Sequence, residues 1–283
     1  MKEITDPIVK HFRQLYDIDI SKFDDAFLSR SILKRSADTL CDSPSSYCKH
    51  MEQNDLERKR FLDSLHIGYS EFFRNPLTFL ILERFIIPEI LLKLKNINRQ
   101  EIRIWSAACA AGEEAYSLAM ILEEQKHSNN GKWNYRIFAS DISKEQIVKA
   151  NTSTYSSETL NNMSLKRIRK WFTESPHDGL DDNKVFHINP DLKQNIEFSV
   201  FDLCDEQLTF PSGSIFGDFD IVICANFLFY YKTRYRKTIL EKTGNALTNG
   251  GYLITGETER DFLFRNQYHE VFPESAIFRK NRF

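Results

Sequence analysis

The chain has 283 residues, 41% hydrophobic and 28% charged, with a formal net charge of −2. That length supports one large domain, or a small one beside a medium one, with a core of ordinary size. The near-neutral balance excludes a global field that would draw the chain to nucleic acid or to an anionic membrane.

Five cysteines, an odd count with no CxxC spacing, argue against a disulfide framework and for a reducing, cytoplasmic compartment. The histidines form no HxxxH or HExxH pattern, and Cys48 with His50 supplies two ligands at most, so no metal is expected. The charged start has no apolar run behind it and does not read as a secretory signal.

Before residue 68 every periodic segment is helical. Residues 6–16 and 23–40 carry apolar side chains at helical spacing (Phe23, Phe27, Ile32 and Leu33 in the second). A third helix starts at Ser45 behind Pro44, and 55–65 is a fourth, with Leu56, Phe61, Leu62 and Leu65 apolar. This predicts a small all-α domain over 1–67. The apolar stretch 78–94 is broken by Glu83, Arg84, Pro88 and Glu89, so it reads as a buried amphipathic helix within a linker over 68–97 and not as a membrane span.

Beyond residue 97 the period changes. Strands are predicted over 102–107, 136–140, 196–201, 219–224 and 252–255, with helices over 113–124, 144–151 and 234–247 between most of them. Ser143 with Gln146 has the spacing of a capping box. Alternating strands and helices imply an α/β domain over 98–283, a parallel sheet covered on both faces. Asn249-Gly250-Gly251 reads as a turn feeding a late strand, where an antiparallel hairpin can form. Residues 176–193 break the alternation and predict a small irregular or β insertion.

The first strand runs into Ala107-Ala108-Cys109-Ala110-Ala111-Gly112-Glu113-Glu114: small residues, one glycine, then two acids opening a helix. Ligands of open α/β sheets bind at the carboxyl ends of strands. GxGxxG and GK[ST] are absent here, which disfavours a pyrophosphate or triphosphate ligand. Paired acids suit S-adenosylmethionine, whose ammonium a glutamate can meet and whose carboxylate the helix N-terminus attracts. Acids in a first turn also simply complement the helix dipole. Asp141, ending the second strand, can accept both hydroxyls of a ribose, although a turn or cap role suits it too. Asp202 and Leu203 after the third strand can hold an adenine amino group and one ring face, and Asn226 follows the fourth.

Taken together, 69–74 (YSEFFR), 105–120 (WSAACAAGEEAYSLAM), 138–142 (FASDI), 224–231 (CANFLFYY) and 249–257 (NGGYLITGE) resemble the CheR family of chemotaxis-receptor glutamate methyltransferases, and the likeness runs over nearly the whole chain. The resemblance implies a Rossmann-like class I methyltransferase sheet with a small N-terminal all-α domain and a small β insertion. It implies S-adenosylmethionine as cofactor, S-adenosylhomocysteine as product, and a side-chain carboxylate of a receptor-like protein as acceptor. It places Arg74 and Tyr230 beside the reacting methyl. Ser70, Arg74, Glu113 or Glu114, Asp141, Asp202, Leu203 and Asn226 are expected to contact the cofactor.

Arg30, Lys34 and Arg35, on neighbouring turns of one helix, are expected to face an acidic substrate such as the cytoplasmic helical bundle of a chemoreceptor; a solvated charged face is the alternative. No nucleic acid, no membrane insertion and a monomer are expected. The sequence departs from the family at Gly68, Ala225 and Asp202-Leu203, and in the segment Gly256-Glu257-Thr258-Glu259. Gly68 and Ala225 keep open a catalytically impaired cofactor-binding scaffold; a methyltransferase with a different acceptor is the other alternative.

Overall fold

The computed structural model describes residues 2–65, 68–128, 132–175, 184–214 and 217–280. Two compact units divide the chain: Met1–Ile67 with Phe227–Thr238, and Gly68–Asn226 with Ile239–Phe283.

The first unit holds α1 (Lys2–Tyr16), α2 (Asp25–Asp38), α3 (Pro44–Gln53) and α4 (Asp55–Leu65). Asp24 caps α2 by accepting the amides of Ala26 and Phe27. Ser43 and Ser46 form a reciprocal box at the head of α3, where Pro44 occupies a position whose amide has no helical partner anyway. Helix α2 begins at Asp25 and not at Phe23, because Phe23 is drawn into a bridge with Tyr231 and stacks on that ring at 5.2 Å. The Asp24 amide donates to the Tyr230 carbonyl at 2.8 Å, and Lys232 pairs with Asp25. The helical unit thus includes a segment from late in the chain, which local periodicity does not reveal.

In the second unit the apolar stretch around residue 86 is one rod in three parts: α5 (Pro76–Ile81), a π turn (Leu82–Ile86) and α6 (Ile87–Asn96). Pro88 has no amide to give and crowds the carbonyl one turn back, and the widened turn just before it accommodates both defects.

There follow β1 (Glu101–Ser106), α7 (Glu113–Ser128), β2 (Asn134–Asp141), α8 (Lys144–Thr152), β3 (Thr154–Ser156), α9 (Leu165–Trp171), β4 (Phe172–Glu174), β5 (Val185–Ile188) and β6 (Ile196–Val200). The remaining elements are β7 (Phe219–Ile223), α10 (Thr233–Ala246), β8 (Leu247–Ile254), α11 (Arg260–Phe264), β9 (Tyr268–Glu270) and β10 (Ile277–Lys280). Seven strands form one sheet in the order β6-β2-β1-β7-β8-β10-β9. Strands β6, β2, β1, β7 and β8 run parallel; β10 is antiparallel to both its neighbours. Central β7 reads Phe-Asp-Ile-Val-Ile and is buried throughout, as a strand covered on both faces must be. Its one charge, Asp220, is paired with Arg99 and accepts the Arg103 amide at 2.9 Å.

Two sequence expectations change here. Asn249-Gly250-Gly251 is no turn; it lies inside β8, where the register against β7 slips between the Phe219 and Ile221 pairings. Gly250 has φ +77°, and a Cβ on Gly251 would sit 3.0 Å from the Phe219 carbonyl oxygen, so the glycines make an irregularity in a strand. The antiparallel partner of β8 is β10, from much later in the chain. A second sheet, β3-β5-β4, is antiparallel. Only β5 falls within the expected insertion at 176–193, of which 176–183 lie outside the described residues. The other two strands precede it and, at three residues each, are too short to show a period.

Among the described residues no disulfide joins the cysteines, no group of His, Cys, Asp and Glu has the arrangement of a metal site, and no helix is long and apolar enough to cross a membrane.

Candidate active site

Strand order reverses direction at β1, which places the crevice of the sheet at the carboxyl ends of β1 and β7. The two tips are tied together, the Ala107 amide donating to the Ile223 carbonyl at 2.8 Å. The loop 107–112 is made of small residues that turn sharply, with Ala110 at φ +47° and Gly112 at φ +94°. A Cβ on Gly112 would meet the Ala150 Cβ at 3.0 Å and the Phe198 ring at 3.1 Å, so only glycine fits. The loop is held from outside by the Tyr155 hydroxyl, which donates to the Ala111 carbonyl at 2.7 Å.

Glu113 and Glu114 open α7 and are held differently. The Ser106 hydroxyl donates to Glu114 Oε1 at 2.6 Å. Glu113 is 4% exposed, and its Oε2 is buried with no hydrogen-bond partner among the described residues. Burial pushes both carboxyls up to about 7; its own backbone amide, then Ser70 and Lys149, pull Glu113 partly back, and Ser106 and Arg74 do so for Glu114. A buried carboxylate oxygen without a partner is costly unless a ligand brings the cation or donor.

The segment carrying Ser70 and Arg74 lies in the same unit. Phe73 is left-handed at φ +54°. Its amide donates to Ser117 Oγ at 3.1 Å, and its ring meets Phe79 at 5.1 Å and the Arg167 guanidinium at 4.6 Å. Arg74 donates to the Tyr69 carbonyl at 3.1 Å and lies over the Tyr69 ring. Gly68 leaves space that the Gln146 amide fills: a Cβ there would stand 2.5 Å from the Gln146 Cδ.

At the tip of β2, Asp141 accepts the Ala110 amide on Oδ2 at 3.0 Å and the Ser143 amide on Oδ1 at 2.9 Å. Ser143 in turn caps α8 by accepting the Gln146 amide. The expected capping box is therefore half made, because Asp141 takes the Ser143 amide that Gln146 would otherwise receive. Past β6, Asp202 accepts the Cys204 amide at 2.8 Å and Leu203 is buried. Past β7, Asn226 is left-handed at φ +58°, and its amide donates to Glu259.

Ser70, Arg74, Glu113, Glu114, Asp141, Asp202, Leu203 and Asn226 all belong to the second unit, on the strand tips and the segment leading to them. Tyr230 belongs to the first unit, its ring 4.8 Å from Phe27. Of the three basic residues on α2, Arg30 and Lys34 are exposed. Arg35 is half-buried. Its guanidinium is spent on the buried carboxylate of Glu57 and on Asp38, and Tyr47 donates to the same Glu57 at 2.8 Å. Helical spacing alone groups it with its neighbours because the carboxylate that engages its guanidinium comes from another helix. Sequence reasoning also missed Ser106, Ser117, Tyr155 and Glu259; all but Tyr155 lie in or beside the quoted motifs.

A doubly wound sheet whose last strand enters antiparallel, a tight small-residue loop with acids in place of a phosphate cradle, and an acid at the second strand tip define a class I S-adenosylmethionine-dependent methyltransferase. The residues suit that cofactor: Glu113 has a buried carboxyl oxygen with no hydrogen-bond partner among the described residues, and the loop before it is built of small side chains.

Residues 69–276 match the family described as CheR methyltransferase, SAM binding domain, and the chain belongs to that family. It is 31% identical to the chemotaxis protein methyltransferase Cher2 of Pseudomonas putida, over 71% of this chain and 69% of that protein. It is 30% identical to the chemotaxis protein methyltransferase of Escherichia coli, over 76% and 71%. Among solved structures it is similar to an S-adenosylmethionine-dependent methyltransferase from Clostridium acetobutylicum, 15% identical over 68% of this chain and 61% of that one, at a TM-score of 0.31.

Proposed function

We propose that this chain methylates glutamate side chains of a protein in a chemotaxis pathway, with a cytoplasmic receptor-like helical bundle as acceptor. The observation that carries the reading is the buried Oε2 of Glu113 at the head of α7, without a hydrogen-bond partner among the described residues, in a chain of the CheR methyltransferase family. Glu114 is engaged by Ser106, so Glu113 is the acid proposed to meet the cofactor's ammonium.

S-adenosylmethionine supplies an electrophilic methyl group on a sulfonium. A glutamate acceptor, with an ordinary pKa of about 4.3, is already ionised at neutral pH and requires no general base. The protein's work is then placement. Asp141 is proposed to receive the ribose hydroxyls, Asp202 and Leu203 the adenine, and Asn226 and Ser70 the remaining polar edges. Arg74 is proposed to orient carboxylates through its fork of donors, and Tyr230 to hydrogen-bond the acceptor. Arg30 and Lys34, both exposed, are proposed to meet an acidic helical surface.

The test is transfer of labelled methyl from S-adenosylmethionine to an acidic receptor signalling domain. A protein glutamyl ester releases its label as methanol in mild base. Arg74→Ala and Tyr230→Phe should each lower the rate on the order of 100-fold while the fold persists. A base-stable label, or wild-type rates in both variants, would overturn the assignment.

A further inference from the structure

Ser117 lies in the family motif, yet nothing in the proposed chemistry uses it. It sits one turn into α7, is fully buried, and its hydroxyl makes two bonds. It donates to the Glu113 carbonyl at 2.7 Å and accepts the Phe73 amide at 3.1 Å. One side-chain oxygen therefore joins the turn of helix that carries Glu113 and Glu114 to the turn that carries Arg74.

The Phe73 backbone needs this support. A left-handed phenylalanine is strained and persists only where its surroundings hold it. The ring is clamped by Phe79 and Arg167, but those contacts fix the side chain and leave the direction of the following residue open. The Ser117 bond fixes the backbone at the point from which Arg74 departs. Without it a buried amide would lack a partner, and the turn would relax to satisfy that amide.

We infer that Ser117 is a positioning residue for methyl transfer, setting Arg74 in register with the acids at the head of α7. The inference rests on the reading above in which Arg74 acts on the cofactor. Ser117→Ala should weaken S-adenosylhomocysteine binding on the order of tenfold by losing one hydrogen bond in a closed site. Ser117→Thr, which keeps the hydroxyl and can still bond the carbonyl one turn back, should restore most of it.

The test has two measurements on the full chain. Amide exchange by NMR should show Phe73 losing protection in Ser117→Ala while the amides of central β7 keep theirs. Calorimetry with S-adenosylhomocysteine should show the tenfold loss in the Arg74 background and less than about twofold in an Arg74→Ala background, because the two residues act as one unit. Unchanged protection at Phe73, or equal losses in both backgrounds, would overturn the inference. An Arg74→Ala single variant with wild-type affinity and turnover would instead remove the reading on which it rests, and the inference with it.

Discussion

One buried oxygen, Glu259 Oε2, accepts the Asn226 amide at 2.8 Å and the Gly256 amide at 2.7 Å. Glu259 is wholly buried, and a Cβ on Gly256 would lie 2.9 Å from the Asn226 nitrogen. The segment following β8 thereby holds the tip of β7 in its left-handed turn. Of the segment Gly256-Glu257-Thr258-Glu259, which departs from the family pattern, the first and last residues do this work and the middle two do not take part.

Glu259→Ala should cost about 2–4 kcal/mol of unfolding free energy, since two amides lose their acceptor in a closed environment. Glu259→Gln, which keeps an accepting oxygen, should cost less. Denaturant unfolding with cofactor-affinity measurements checks this; equal loss in both variants would mean the charge matters and the geometry does not.

Gly112→Ala should destabilise the protein by about 2–3 kcal/mol and impair cofactor binding beyond that, because the left-handed backbone and the Ala150 and Phe198 contacts both oppose a Cβ. Thermal unfolding with and without S-adenosylhomocysteine tests it. A ligand-induced shift as large as in the wild type would show that the loop does not touch the cofactor.

Glu113 and Glu114 give a signed pH dependence. Burial raises both folded-state values to about 7, above the unfolded value of about 4.3, so the native state binds more protons over that interval. Apo stability should therefore fall as pH rises from about 4.5 to 7. Affinity for the cofactor's ammonium should rise over about pH 6 to 8 as the acids ionise, with protons released on binding below about 7. Glu113→Gln should flatten part of this rise and stabilise the apo protein at about pH 8. Calorimetry in buffers of different ionisation enthalpy measures the protons; an affinity flat across the range would refute the coupling.

Arg35→Ala should destabilise the helical unit by about 3 kcal/mol, since it strands the buried Glu57 carboxylate. Burial alone would raise the Glu57 pKa, but hydrogen bonds from Arg35 and Tyr47 outweigh it and hold the carboxyl below its usual range. The pair's contribution is thus present at neutral pH and lost as pH falls through that lowered value. Lys34→Glu, on the exposed face, should leave stability within about 0.5 kcal/mol and weaken binding of an acidic substrate. Reversal of these two outcomes would show Arg35 to be the surface residue.

Much of this architecture was legible beforehand. Five parallel strands, the helices between them and the four N-terminal helices announce themselves by period, and the loop with its acids by position after a strand. Strands β3 and β4 did not, being too short to show alternation. The glycines at 249–251 were misplaced, because a bulge and a turn use the same residue types and only the neighbouring strand distinguishes them.

By itself the sequence determined the order of the four N-terminal helices and the five parallel strands, the small-residue loop ending in two acids, and the motifs of the CheR methyltransferases. Tertiary structure alone decided that Glu114 is engaged by Ser106 while Glu113 keeps a buried oxygen to offer, that Arg35 is spent on Glu57, and that Tyr230 belongs with the N-terminal helices. The reason is that periodicity and spacing act between near neighbours. Burial, charge state and hydrogen-bond commitment are set by whichever distant residues the fold brings against a side chain.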